Sequence, residues 1–198
     1  GMFIACESLK EITIPSSITS IGDNTFNNCP SLIKINIPTS VKSIGEGCFI
    51  GCISLKEISI PSSVTSIQKY VFSRCSSLIE MTIPTTITDI GKGLFYGCSS
   101  LTNVTIPSSV TSIGDNSFEG CSSLIKIEIP SSVNEIGELV FRGCSSLTEI
   151  TIPESITVIN DGMLYKCSSL TKVNIPSSVT LIKGSAFYDC SSLVSITI

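Results

Sequence analysis

The sequence contains no histidine and no tryptophan. Without an imidazole there is no Ser-His-Asp or Cys-His nucleophilic site and no His-ligated zinc. Charge is scarce as well. Asp, Glu, Lys and Arg make up 14% of residues, against about 25% in an ordinary globular domain. Twelve basic against sixteen acidic residues leave a net charge of −4, whereas a nucleic-acid binder would carry a basic face. Long apolar runs are also missing. Mean hydropathy is high at +0.46, yet apolar residues come in ones and twos, broken by Ser, Thr or Pro. No stretch approaches the ~20 consecutive apolar residues of a spanning helix. No basic segment followed by an apolar run opens the chain, so no signal peptide is read in this segment.

What is present is repetition. Pro15, Pro38, Pro61, Pro84, Pro107, Pro130, Pro153 and Pro176 are spaced 23 apart. Cys6, Cys29, Cys52, Cys75, Cys98, Cys121, Cys144, Cys167 and Cys190 keep the same period, and only Cys48 is extra. All eight Phe, from Phe3 to Phe187, share one column, with Leu164 in the remaining place. The chain is therefore read as a single unit over 1–198: a partial repeat, 1–14, then eight units of 23. Such an array is expected to be a segment of a longer one, because no polar cap closes either end.

We number the columns from the proline. Apolar residues occupy columns 4, 7, 12, 15, 18, 21 and 23. The closing L-x-x-I-x-I alternates with the period of a half-buried strand. It predicts nine strand segments: 9–14, 32–37, 55–60, 78–83, 101–106, 124–129, 147–152, 170–175 and 193–198. Proline has no N–H to give and ends each one. The β-branched V-T-S-I stretch predicts a second, shorter strand. Column 8 is Gly in five units, which suggests a tight turn with positive φ. The residues after it, such as 115–121, suggest one helical or 3₁₀ turn. No unit can bury its own apolar side chains, so the units must stack, each column becoming a buried spine. The expected fold is a repeat solenoid, mostly β, with a parallel sheet of about nine strands, short second strands and helical or 3₁₀ turns opposite.

The segment S-F-E-G-C-S-S-L-I-K-I-E-I-P-S-S-V-N-E-I-G at 117–137 resembles the pattern of the BspA-like, or treponemal-type, leucine-rich repeats. The resemblance runs the whole length of the chain. Its departures are local: Leu164 for Phe, Met81 for Ile, and Gln68, Asn160 and Lys183 for Gly. It implies a right-handed solenoid with the parallel sheet on its concave face. It also implies a cell-surface or secreted protein of a bacterium or parasitic protist, acting in adhesion or protein binding rather than as an enzyme.

Three readings of the cysteine column stand. The thiols are small buried hydrophobes with a weak S–H donor bonding a turn carbonyl; or neighbouring coils carry disulfides, since stacked Cα atoms fall in the required window; or the column holds a metal. The last lacks any Cys-x₂-Cys pair, and neither a metal nor a cofactor is expected.

Columns 20 and 22 point away from the core. They place Glu57, Glu80, Asn103, Lys126, Glu128, Glu149 and Lys172 on the exposed sheet face, as the expected contact residues for a protein partner, such as a host matrix or cell-surface protein. The plainer reading is that alternating Glu and Lys form lateral charge pairs worth ~0.2–1 kcal/mol each. A second candidate is the aromatic set Tyr96, Tyr165 and Tyr188 in column 13, with the last two expected to stack. The open ends allow end-to-end self-association. The alternative function is a structural spacer or stalk with no ligand of its own. Asn103-Val104-Thr105 is the only glycosylation sequon, and one match among so many Ser and Thr is near chance.

Overall fold

The computed structural model describes residues 1–197. Each unit is one coil of a parallel β-solenoid, and strands pair with their equivalents one coil away. In chain order the strands are β1 Glu11–Thr13, β2 Ser20–Ile21, β3 Lys34–Asn36, β4 Ser43–Ile44, β5 Ser66–Ile67, β6 Glu80–Thr82, β7 Asp89–Ile90 and β8 Asn103–Thr105. There follow β9 Ser112–Ile113, β10 Glu135–Ile136, β11 Glu149–Thr151, β12 Val158–Ile159, β13 Lys172–Asn174, β14 Leu181–Ile182 and β15 Ser195–Thr197. Three-residue strands come from columns 20–22 and two-residue strands from columns 6–7. The last expected segment, 193–198, is seen as β15, and Ile198 lies outside the described residues.

Stacking turns the apolar columns into one continuous core. Val41, Val64, Val110 and Val133 of column 4, and the Leu of column 18 from Leu32 to Leu170, are fully buried. Phe3, Phe26, Phe49, Phe72, Phe95, Phe118 and Phe141 form an unbroken ring stack with centroids 5.4–5.8 Å apart. Leu164 ends it. Sγ of eight cysteines, Cys29 to Cys190, donates to the column-12 carbonyl of the preceding coil at 3.0–3.3 Å. That is the S–H donor reading of the column, and all ten cysteines stand as free thiols. Column-3 hydroxyls make a parallel ladder, for example Ser109 Oγ to the Ile87 carbonyl at 2.7 Å.

Three expectations are corrected. The first concerns the helical turn after column 8. Among the described residues there is no helix. Columns 10 and 14 are instead left-handed in every coil, as at Asn24, Tyr70, Asn116 and Leu139, and at Arg74, Gly120 and Lys166. Two left-handed residues four apart interrupt the helical run and turn the intervening peptides along the solenoid axis. The N–H groups of columns 10, 12 and 14 then donate to the next coil, as Asn116 to the Glu138 carbonyl at 2.9 Å, Phe118 to Val140 at 3.0 Å and Gly120 to Arg142 at 2.7 Å. This turn ladder runs unbroken from Asn24 to Lys166.

The second concerns the column-8 glycines, none of which has positive φ. They make room for the coil below. A Cβ on Gly137 would lie 2.5 Å from the Asp115 backbone N and Oδ1, because Asp115 reaches up to accept the Glu138 N–H at 3.0 Å. Gly22, at the same column of the first coil, has nothing nearer than Thr25 Oγ1 at 3.7 Å. Gly137→Ala should therefore destabilise by about 1–3 kcal/mol through forced backbone movement. Gly22→Ala should be stabilising by about 0.4–1 kcal/mol, since it removes unfolded-state freedom. Urea midpoints of the two variants that move in the same direction would refute the close-approach account.

The third concerns the nine-stranded sheet. Among the described residues seven strands form, in three groups: β1-β3, β6-β8 and β11-β13-β15. Residues 57–59 and 126–128 pair with neither neighbour. The short row breaks on the same three-coil rhythm, into β2-β4-β5, β7-β9-β10 and β12-β14. The turn side shows no such breaks, since its coil-to-coil hydrogen bonds continue past both gaps. The turn ladder holds the coils in step where the sheet side parts.

Candidate binding surface

The sheet face carries the seven candidate residues, and all of Glu57, Glu80, Asn103, Lys126, Glu128, Glu149 and Lys172 are exposed. The structure does not gather them into one constellation. Glu80 stands opposite Asn103, and Glu149 opposite Lys172, across paired strands. Glu57, Lys126 and Glu128 sit on the two unpaired segments. The expected lateral charge pairs do not close. Glu11 and Lys34 are in register, as are Glu149 and Lys172, yet neither pair is among the ion pairs within 4.0 Å in the described residues. Long exposed side chains lose as much rotamer entropy on bridging as screened attraction returns. An ion pair on this face is local, Lys126 Nζ to Glu128 Oε1 at 3.1 Å. Where the sheet parts, the face is hollowed. One open hollow of about 990 Å³ is lined by Glu11, Lys34, Glu57, Ser59, Glu80 and Thr82 among others. A second, of about 250 Å³, is bounded by Asn103, Thr105, Lys126 and Glu128.

Column 13 lies on the turn edge, and here the structure does assemble something. Tyr165 and Tyr188 stack with centroids 4.9 Å apart and planes within 13°. The Arg142 guanidinium lies 5.2 Å from the Tyr165 centroid, and Lys166 Nζ 5.5 Å from it. Arg142 also forms a 3.0 Å ion pair with Glu119 one coil back. Four successive coils thus contribute one run of touching side chains: Glu119, Arg142, Tyr165, Tyr188. Tyr96 stands apart from the pair, on the far side of Glu119 and Arg142. The ring stack is worth ~0.5–1.5 kcal/mol, so the ledge is set before any partner arrives. The expectation named the tyrosines but missed Arg142 and Lys166. Arg142 occupies the same column as the three tyrosines, and reading that column as a whole would have found it.

The sharp turn that presents column 13 is made by the left-handed residues on either side. Its backbone is committed to the turn ladder, so side chains alone face outward. A sequence profile of the BspA type leucine rich repeat region, in six copies, matches residues 1–125 and 88–198. The chain belongs to the BspA-type leucine-rich repeat family. Among solved structures it is similar to a leucine-rich repeat protein from Bacteroides ovatus, at 32% identity with a TM-score of 0.81. That match covers 98% of this chain and 62% of the other, so the BspA-type array here spans less than two thirds of its relative. A leucine-rich repeat protein from Treponema pallidum matches at 27% identity and TM-score 0.64, over 93% of this chain and 78% of that one. A leucine rich cell surface protein from Faecalibacterium prausnitzii matches at 29% identity and TM-score 0.54, over 96% and 79%. No curated protein matches. Among the described residues, no helix is long and apolar enough to cross a membrane.

Proposed function

We propose that this chain is a non-enzymatic protein-binding module displayed at a cell surface, and that it binds through the column-13 ledge. The observation that carries the reading is the Arg142–Tyr165–Tyr188 run. Tyr and Arg are the side chains over-represented where binding energy concentrates, and here they are pre-stacked at little entropic cost. The sheet face offers only short polar and charged side chains and no such anchor. A host matrix or cell-surface protein fits as partner. Surface display is supported by the family and by the cell-surface relative.

The test compares retention of a panel of purified matrix proteins on immobilised wild type, Tyr165→Ala/Tyr188→Ala, Arg142→Ala, and Glu80→Ala/Asn103→Ala/Lys126→Ala. The tyrosine pair should lose at least about tenfold in affinity, the ~1.4 kcal/mol or more expected of anchor residues, while the sheet-face triple should retain binding. Loss in the sheet-face triple alone would move the site to the other face. A second reading, as a spacer, is favoured by one feature: the turn ladder joins coil to coil without a break. Absence of any retention on the wild type itself would select it.

A further inference from the structure

We propose that Asn103 is an N-glycosylation site whose glycan covers the middle of the sheet face. The inference rests on surface display, since the chain must pass a compartment holding the glycan donor. Asn103 and Thr105 are two apart on β8, so their side chains project to one side, and both are exposed. Their geometry is that of an uncommitted acceptor. The Asn103 amide and the Thr105 hydroxyl have no hydrogen-bond partner among the described residues, whereas Asn174 donates to Thr151 Oγ1 at 3.2 Å and Asn160 to the Ile136 carbonyl at 2.6 Å. Asn103 is also the one asparagine in column 20, which otherwise carries Glu, Lys or Ser.

The sheet adds an independent observation. β8 pairs with β6 on one side, and the next segment, 126–128, is unpaired. An edge strand leaves its pairing at lower cost than a central one, and a transferase needs that release to bend the acceptor. The hollow of about 250 Å³ bounded by Asn103, Thr105, Lys126 and Glu128 lies on the open side. It gives the first sugars room without displacing the core, because Val104 between the two sequon side chains stays buried.

In the transfer, Nδ2 of Asn103 attacks C1 of an oligosaccharide carried on a polyprenyl pyrophosphate. The C1–N bond forms as the C1–O bond to pyrophosphate breaks. The leaving pyrophosphate keeps the bonding pair, and the amide gives up one proton. No oxidant or reductant is involved. The Thr105 hydroxyl is the recognition element two residues on. The attached glycan would overlie Glu80, Lys126 and Glu128 and leave the column-13 ledge clear.

The chain should be secreted from an N-glycosylating eukaryotic cell line and its intact mass measured before and after peptide N-glycosidase treatment. The expected result is one glycan on most molecules, with residue 103 reading as aspartate after release. Asn103→Gln and Thr105→Val should abolish it, Thr105→Ser should keep it, and the thermal midpoint should be the same for all four proteins. Secreted wild type at the bare polypeptide mass would overturn the proposal, and so would a glycan that survives Asn103→Gln. Running the binding test on protein made in the bacterial cytosol, without glycan, lets either idea fail alone.

Discussion

Raising the pH above about 9 should unfold the reduced protein within roughly one pH unit. The cause is the thiol column. Burial strips water from these sulfurs and pushes the Cys48, Cys52 and Cys98 thiols up to about 12. Burial raises Cys75, Cys121, Cys144 and Cys167 strongly as well. Cys29 and Cys190, nearer the ends, are raised too. Folded Cys48, Cys52 and Cys98 therefore keep their protons to about 12, and the other buried thiols keep theirs past the pH near 9 at which unfolded ones release them. Above 9 the unfolded chain binds fewer protons, so stability falls as pH rises. It is fully present below 9 and is lost as pH rises from there toward the raised folded values. Each thiol contributes about 1.4 kcal/mol per pH unit. The seven strongly buried ones together give a slope near 10 kcal/mol per unit, comparable with the ~5–15 kcal/mol stability of a whole domain. Circular dichroism and thiolate absorbance, followed together under reducing conditions, should change in one coincident transition. Cys98→Ala/Cys121→Ala should make the transition shallower. Gradual thiolate formation from pH 9 with the strand signal intact would refute the argument.

The period, the core columns and both strand rows were legible because each depends on residue type alone. Pro marks strand ends, Phe and Cys mark inward columns, and alternation marks columns 21 and 23. The turn geometry was not, although half its signal was present. Column 14 holds Asn28, Gly51, Gly97, Gly120, Gly143 and Asp189, residues that tolerate a left-handed backbone. Column 10 hides the same conformation behind Tyr70, Leu139 and Ser185, where three forward hydrogen bonds per coil outweigh a local cost of ~1–2 kcal/mol. The sheet breaks could not be read at all. They fall at 57–59 and 126–128, segments with the same apolar alternation as their paired neighbours. The candidate surface was half legible: the tyrosine stack follows from adjacency in one column, while the contacts of Arg142 and Lys166 with Tyr165 depend on how long side chains lie across coils.

Phe95→Ala should be the most damaging single truncation, costing about 3–5 kcal/mol. Phe95 is fully buried and has a ring on each side, Phe72 at 5.8 Å and Phe118 at 5.4 Å. Its removal opens a cavity bounded by two coils, and those coils cannot close it. Their turn ladder fixes the spacing through Phe72 N–H to the Leu94 carbonyl at 3.0 Å and Phe95 N–H to Ser117 at 2.8 Å. Solenoid stability is a sum of unit and nearest-neighbour terms, so a central defect weakens two interfaces and an end defect one. Phe3 has a single stacked neighbour, Phe26, and is already half-buried. Phe3→Ala should therefore cost well under half as much. Phe95→Leu should recover most of the loss, because Leu164 already fills the same column, fully buried, between Phe141 and Phe187. Urea unfolding of the three variants reads this directly. Phe95→Ala should also broaden the transition, as the two halves of the array uncouple and melt separately. Equal losses at Phe3 and Phe95 would show that the ring stack is not the coupling between coils.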